Sequence, residues 1–147
     1  MSRLLGVDFG QSRIGLAISE GELVLPIDAI ASSDQSATLT AQLAQSRQAS
    51  MIVVGLPLSL TGNPTLSTAL AIEFAKKLSE MTELEVRLVD ERLTTRAAQT
   101  KLRDSGKNAK ESKSSIDSES AAEILRLALA QIRLGKKPGI GLDEIEH

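Results

Sequence analysis

The chain of 147 residues has no cysteine, tyrosine or tryptophan, two phenylalanines, and one histidine, His147, at its last position. The lack of cysteine excludes disulfides, thiolate zinc sites and cysteine nucleophiles. A terminal histidine makes a histidine-based catalytic triad a poor expectation. An enzyme of this composition has to use carboxylates, hydroxyls, lysines, arginines, backbone groups or a metal. Oxygen ligands suit hard cations such as Mg²⁺ or Mn²⁺.

Long apolar runs are also missing. No stretch approaches the roughly 20 residues that a membrane-spanning helix needs, and Asp8 interrupts the start of the chain too early for a signal peptide. We therefore expect no membrane association and a cytoplasmic location. The length and the apolar fraction of 41% predict one domain with a proper core. We assign residues 1–137 to that single domain and residues 138–147 to a flexible tail.

The scarcity of aromatic residues also bears on ligands. Phe9 and Phe74 both fall on predicted core positions. A platform of aromatic side chains for stacking single-stranded bases is therefore not expected. If the protein binds nucleic acid, we expect cationic side chains to contact its backbone and shape.

Basic residues are concentrated in one segment, although the formal net charge is −2. Residues 92–113 contain two acids against seven basic residues, a local charge of +5: Arg92, Arg96, Lys101, Arg103, Lys107, Lys110 and Lys113. Such a segment suits a phosphate backbone. A polar loop and a solvated helix face explain it equally well.

Hydrophobic patterning predicts an α/β fold. The first strands are expected at 3–9, 13–19 and 23–30, where close spacing favours an antiparallel meander and Pro26 an edge strand or a bulge. Two further strands are expected at 51–57 and 85–90. Helices are predicted from Asp34 to about Gln48, at 64–80 after an Asn63 cap, at 95–103 and at 117–134, with a mobile loop at 104–115.

This order of elements gives a mixed five-stranded sheet, three strands antiparallel and two parallel, with helices on both faces. Strands that are joined by helices run parallel, so their carboxyl ends gather at one edge. Asp8 lies within the first strand, Asp90 and Glu91 end the fifth, and Asp117 opens the last helix. Strand alternation lets only one of Asp90 and Glu91 reach a shared site easily, and does not say which.

Each carboxylate also has an ordinary structural explanation. Asp8 could cap a turn, Asp117 could cap a helix, and the acids of the fifth strand could pair with arginines. Together, however, three carboxylates at one edge would repel each other unless cations lie between them. Two divalent ions roughly 4 Å apart would meet that need and would catalyse phosphodiester cleavage.

Four segments, "VDFGQSRIGLAIS", "IVVGLPLSLTG", "VRLVDERLTTRAA" and "IDSESAAEIL", resemble in order and spacing the motifs of the YqgF/RuvX family of RNase H-like proteins. The resemblance covers residues 3–134 and implies an RNase H-like fold. The family's acidic residues fall on Asp8, Glu91 and Asp117, which implies a two-metal Mg²⁺ or Mn²⁺ site and selects Glu91 over Asp90. Gln11 and Ser12 depart from the threonine and lysine often found in the family, and the usual aromatic residue late in the closing helix is absent.

The resemblance implies a metal-dependent nuclease that acts on structured nucleic acid in pre-16S rRNA processing. A Holliday junction resolvase or a DNA exonuclease is the alternative. A non-catalytic nucleic-acid-binding module, or an ATP-binding module related to actin and Hsp70 through "DFGQSRIG", is the alternative of another class. The partner is then an rRNA precursor or branched or duplex DNA, bound by a monomer or a homodimer. The substrate-binding residues are expected to be Arg13, Arg92, Arg96, Lys107, Lys110 and Lys113.

Overall fold

The computed structural model describes residues 3–93 and 109–145, apart from the side chains of residue 93 and residues 109–117. The described residues form one six-stranded mixed sheet with helices on both faces. The strand order is β3-β2-β1-β4-β5-β6. The predicted α/β class is confirmed, with one strand more than expected.

The first three strands form the predicted antiparallel meander. They are β1 (Leu4–Phe9), β2 (Arg13–Glu20) and β3 (Leu23–Ala31). β3 is an edge strand, as Pro26 indicated, because a proline lacks the N–H that an inner strand would have to donate on one of its sides. The register slips between Ile14 and Leu16, where β2 pairs with β3.

The next two strands are parallel to β1. β4 (Met51–Leu56) lies between β1 and β5 (Glu85–Asp90), with Val54 opposite Val7 and Leu56 opposite Asp90. β4 is apolar on both faces, as a central parallel strand requires. The carboxyl ends of β1, β4 and β5 therefore meet at one edge of the sheet.

Within the described residues, three helices cover the two faces of the sheet. α1 (Ser36–Ser46) and α2 (Leu66–Met81) pack on one face, where they share a core with side chains such as Leu5, Val7 and Leu88. α3 (Ala109–Arg133) packs on the opposite face, against Leu4, Val53 and Val89. Gly6 permits this close approach, because a Cβ there would come 2.8 Å from the carbonyl oxygen of Ala121.

Helix starts differ from the sequence predictions. α1 begins at Ser36 and not after an Asp34 cap, and the Ser36 hydroxyl accepts a 2.7 Å hydrogen bond from the Ser33 N–H. α2 is capped by Thr65, whose hydroxyl accepts from the Thr68 N–H, and not by Asn63. The reciprocal Thr65–Thr68 capping box satisfies two backbone donors, which Asn63 followed by a proline could not match.

The closing helix also begins earlier than predicted. It starts at Ala109, inside the loop expected at 104–115. The residues concerned are mostly polar but include good helix formers, such as alanine, lysine and glutamate, and helix propensity can extend a helix beyond its apolar periodicity. The helix predicted at 95–103 and the rest of that loop lie outside the described residues.

The spacing of apolar residues in the sequence predicts a buried face on α2 that includes Leu66 and a buried face on α3 that includes Ile132, and both faces are shorter than predicted. Leu66 was expected to share the buried face of α2 with Phe74 and Leu78, but it is 74% exposed because it is the first residue of the helix. Ile132 of α3 is 40% exposed, one residue before that helix ends. Amphipathic spacing therefore located both helices but overestimated the length of their buried faces.

The sixth strand comes from the segment predicted to be a flexible tail. β6 (Ile140–Gly141) pairs antiparallel with β5 and is followed by a 3₁₀ turn at Leu142–Glu144. The buried guanidinium of Arg87 donates to the carbonyls of Pro138 at 2.5 Å and Gly139 at 3.1 Å. A strand of two residues has no periodicity of its own, so the sequence did not reveal it. No helix within residues 3–93 and 109–145 is long and apolar enough to cross a bilayer.

We predict that Arg87→Ala lowers the free energy of unfolding by about 2–4 kcal/mol, because it leaves two buried carbonyls without a donor. Truncation after residue 137 should cost a similar amount, because it leaves the guanidinium without those acceptors. Urea denaturation measures both variants. A truncated chain as stable as the full chain would show that β6 contributes nothing to the sheet.

Candidate functional site

Asp8 and Glu91 lie on the same side of the sheet. In β1, side chains alternate between the two cores, so Leu4 and Asp8 belong to the α3 side while Leu5 and Val7 belong to the other. In β5, Val89 packs on the α3 side of the sheet and Leu88 packs on the opposite side. By alternation, the side chain of Glu91 lies on the α3 side and that of Asp90 on the opposite side. The sequence could not resolve this choice, because it did not show which face of β5 matches that of Asp8.

The two carboxyl groups meet across β4. Glu91 opens the 3₁₀ turn Glu91–Leu93 directly after β5, and its carboxyl group is hydrogen-bonded to that of Asp8. Gly55 of β4 lies beneath this contact. A Cβ on Gly55 would overlap Glu91 Oε1 and would come 2.5 Å from Ile124 Cδ1 of α3. Glycine at this position therefore leaves the space that Glu91 occupies.

The environment of Glu91 disfavours its ionised form. Burial raises the pKa of Glu91 above its ordinary value, and the charge of Asp90 adds to this, while the hydrogen bond with Asp8 acts in the opposite direction. Two carboxyl groups that share a hydrogen bond need a proton or a cation between them. The donor atoms here are all oxygens, which fits a hard divalent cation.

Asp117 is placed by its backbone. The next residue, Ser118, donates a 2.6 Å hydrogen bond to the carbonyl of Ile27 in β3. Ile27 is paired with Leu16 of β2, and Leu16 is paired with Val7 of β1. At the far end of α3, Arg133 contacts Glu22 in the turn between β2 and β3. The helix thus runs antiparallel to β1, and residue 117 lies at the sheet edge that carries Asp8 and Glu91.

A complete ligand set is not seen within the described part of the chain. Residues 3–93 and 109–145 contain no group of three or more potential metal ligands, and the side chain of Asp117 is outside the description. The roles of Asp8, Glu91 and Asp117 as metal ligands and catalytic residues therefore remain predictions. The contact between Asp8 and Glu91 is the part of this site that the structure contains.

Asp90 has a different partner. Its carboxylate accepts from Arg92 through Nε at 2.9 Å, Nη2 at 2.6 Å and the backbone N–H at 2.9 Å. The hydrogen bond from the Arg92 side chain lowers the pKa of Asp90 and raises that of Arg92. The ion pair stiffens the end of β5 and fixes the direction of the Arg92 guanidinium. Substrate contact by Arg92 remains a prediction.

The other predicted substrate contacts are only partly located. Arg13 opens β2 after the turn that contains Gly10, so it lies at the same edge as Asp8. Lys110 and Lys113 are placed by the backbone of the first turns of α3, without described side chains. Arg96 and Lys107 lie outside the described residues.

The segment "GLPLSLTGN", 55–63, is predicted by the sequence as a loop at this edge whose glycines allow close backbone approach, or as a plain connection; the partners of its two glycines were not predicted. Gly55 interrupts the apolar strand "MIVVGL", and a glycine inside a strand is a recognised sign of close approach by another group. Gly62 has a φ of +90°, and a Cβ there would lie 2.9 Å from Arg92 Nη1. The motif "GLPLSLTGN" was expected at this edge, but its contact with Arg92 had no signal in the sequence.

Comparisons with known sequences give a consistent result. A family model described as "RuvX: Holliday junction resolvase" matches residues 2–131. A protein of Clavibacter sepedonicus named "Putative pre-16S rRNA nuclease" is 43% identical over 143 residues, with 92% of this chain and 88% of the relative covered. A relative of the same name from Leifsonia xyli subsp. xyli is 42% identical, with 91% of this chain and 89% of the relative covered. Another from Rickettsia bellii is 35% identical, with 88% of this chain and 86% of the relative covered.

A solved structure supports the fold. Thermus thermophilus RuvC in complex with a Holliday junction substrate superposes with a TM-score of 0.60, covering 94% of this chain and 99% of its own. The sequence identity is 11%, so the match speaks for the fold alone. It confirms the predicted RNase H-like class.

We predict that Glu91→Gln raises the melting temperature by roughly 2–4 °C at neutral pH in metal-free buffer. The pKa of Glu91 is raised in the folded protein, so protonation of Glu91 stabilises the fold. This stabilisation is fully present in acid and is lost as the pH rises through the folded-state pKa. A glutamine amide cannot ionise, so it removes the buried charge at residue 91, and it can still form a hydrogen bond with Asp8 at every pH. Differential scanning calorimetry should show a gap between the two proteins that closes in acid. A gap of the opposite sign at neutral pH would contradict the shared-proton account.

Proposed function

This chain belongs to the RuvX family, and from that premise we propose that it is a divalent-metal-dependent nuclease that hydrolyses phosphodiester bonds in structured RNA, with the precursor of 16S rRNA as its substrate. The observation that carries the proposal is the contact between the Asp8 and Glu91 carboxyl groups at the carboxyl edge of the parallel strands. The names of the curated relatives support the choice of RNA.

The metal-binding residues in this proposal are Asp8, Glu91 and Asp117. Asp8 and Glu91 already share a hydrogen bond in a half-buried position, where a divalent cation in place of the shared proton would allow both to ionise. When bound, two such cations supply an activated water and stabilise the leaving oxygen. A site of this type needs no histidine, in agreement with the composition.

The remaining residues bind and orient the substrate. Asp90 holds the Arg92 guanidinium in the turn that follows β5, and Arg13 opens β2 at the same edge of the sheet. An arginine held by a carboxylate keeps a fixed direction, so it loses little entropy when it meets a phosphate. Arg96, Lys107, Lys110 and Lys113 complete the set that we assign to backbone contacts.

A second candidate substrate is the four-way DNA junction. The description of the family model and the fold shared with RuvC favour it. A junction has two-fold symmetry, so symmetric cleavage requires a homodimer. Cleavage of precursor RNA needs only a monomer, and gel filtration with and without a junction separates the two states.

We predict that Asp8→Asn reduces cleavage by about 10³-fold or more while leaving nucleic-acid binding within a few-fold, because it removes a metal ligand and not a phosphate contact. The assay uses precursor 16S rRNA, single-stranded DNA, duplex DNA and a four-way junction, each with Mg²⁺, Mn²⁺ or chelator. The matched control is Asp28→Asn, which changes an exposed aspartate on β3.

The same assay distinguishes the alternatives. Equal activity of the wild type and Asp8→Asn would identify a contaminating nuclease and contradict the proposal. Binding without cleavage of any substrate would support a non-catalytic module. Calorimetric binding of ATP would support the actin- and Hsp70-like alternative.

A further prediction concerns Gly55. Gly55→Ala should lower the rate of cleavage by about 10²-fold, because the new Cβ takes the place of Glu91 Oε1 and displaces that carboxylate from Asp8. Single-turnover kinetics measure the effect. The control is Gly135→Ala, where an added Cβ meets no atom within 4 Å; the φ of +80° at this position makes the expected cost one of stability and not of cleavage. Full activity of Gly55→Ala would show that Glu91 does not act from this position.

A further inference from the structure

The loop between β4 and α2, residues 57–65, leaves the sheet at the edge of the candidate site. It follows Leu56, which is paired with Asp90, so it begins beside the turn that carries Glu91 and Arg92. None of the site residues proposed above belongs to it. We refer to it as the β4–α2 loop.

Internal hydrogen bonds hold the β4–α2 loop in a hairpin. Leu58 and Pro64 form an antiparallel bridge, and the Ser59 N–H donates to the Asn63 carbonyl at 2.9 Å. The Gly62 N–H donates to the Ser59 carbonyl at 2.8 Å and closes the tip. Side chains add to this: the Ser59 and Thr61 hydroxyls are 2.9 Å apart, and the Asn63 amide donates to Thr61 at 3.0 Å.

The tip of this hairpin presents a large apolar side chain to solvent. Leu60 is 76% exposed, although it lies on a small, internally bonded element. Its neighbours in the hairpin are hydroxyl and amide groups, which suit a polar surface. A leucine held out in this way contributes little to folding, since its apolar surface remains in water. Leu66 and Leu134 are equally exposed, so what distinguishes Leu60 is its place at the tip of a hydrogen-bonded hairpin at the edge of the candidate site.

Arg92 joins the hairpin to the site. Its Nη1 packs against Gly62, and its Nε and Nη2 are bound by Asp90. The Cα atoms of Leu60 and Gly62 are at most about 7.6 Å apart. An apolar tip, an oriented cation and a pair of carboxylates therefore follow one another along a single edge.

We propose that Leu60 is a wedge that packs on the last base pair of a duplex where the strands separate, and thereby directs the site to duplex–single-strand boundaries. This inference rests on the proposed nuclease function and names the feature of the substrate that it selects. Apolar side chains can pack on the faces of bases, and at the end of a helix one base face is open without the cost of unstacking an inner step. Arg92 then meets the backbone phosphate next to the boundary, and Asp8 and Glu91 lie beyond it.

The test compares Leu60→Ser, Leu60→Phe and the wild type, all as full chains that carry Asp8→Asn to prevent cleavage. The ligands are three RNAs: a single strand, a blunt duplex and a forked duplex with a 2-aminopurine at the terminal pair. Fluorescence anisotropy gives affinity, and 2-aminopurine emission reports contact with the terminal base. The control is Leu134→Ser, an equally exposed leucine, 74%, just beyond the end of α3.

We expect Leu60→Ser to weaken binding of the fork about 5- to 10-fold, to leave the single strand within two-fold, and to abolish the change in emission. Leu60→Phe should retain the preference for the fork, and Leu134→Ser should behave as the wild type. If Leu60→Ser lost affinity equally for all three RNAs, or lost no affinity for the forked duplex, the wedge proposal would be overturned.

Cleavage by the same variants with Asp8 restored separates the two proposals. If the wild type cuts the forked duplex, and Leu60→Ser cuts it at the same rate and binds it with the same affinity, the wedge proposal is contradicted and the nuclease proposal is not. Selective loss of fork binding in Leu60→Ser, with no cleavage of any RNA by the wild type, supports the wedge and contradicts the nuclease.

Discussion

The contact between the Asp8 and Glu91 carboxyl groups, made across the backbone of Gly55, brings together constraints from three strands and the closing helix. It requires that β4 lie between β1 and β5, that the three strands be parallel, and that the middle strand have no side chain at the crossing point. It also requires a turn immediately after β5, so that Glu91 can reach back over the sheet. α3 then closes the face, with Ile124 beside the same glycine.

The position of Glu91 lowers the stability of the folded protein at a pH where its carboxyl group is ionised. Burial and the charge of Asp90 disfavour the ionised form of Glu91 and raise its pKa, while the hydrogen bond with Asp8 offsets part of this effect. In the proposed function, a divalent cation between the two carboxyl groups would allow both to ionise. Asp90 takes the opposite role, since it is neutralised by Arg92 and gives that arginine a fixed direction. Two adjacent acids thus serve different purposes, because the strand turns their side chains to opposite faces.

Much of the fold could be predicted from periodicity and turn residues. The meander, the edge position of the strand that contains Pro26, and the buried parallel strand at 51–57 all follow from local patterns. β6 could not be predicted, since it is held by Arg87 from more than fifty residues away. In the site, Asp8 could be singled out as an acid within an apolar strand. Family resemblance was needed to choose Glu91 over Asp90, because tertiary packing decides which face of β5 lies on the same side of the sheet as Asp8. The convergence of Asp117 is supported by its backbone position and remains a prediction.

The account is tested most directly by a crystal structure of the protein grown with Mn²⁺ and measured at the manganese absorption edge. It predicts two anomalous peaks roughly 4 Å apart, both within bonding distance of carboxylate oxygens of Asp8, Glu91 and Asp117. Anomalous density confined to other surfaces, with Asp8 and Glu91 still sharing a proton, would contradict it.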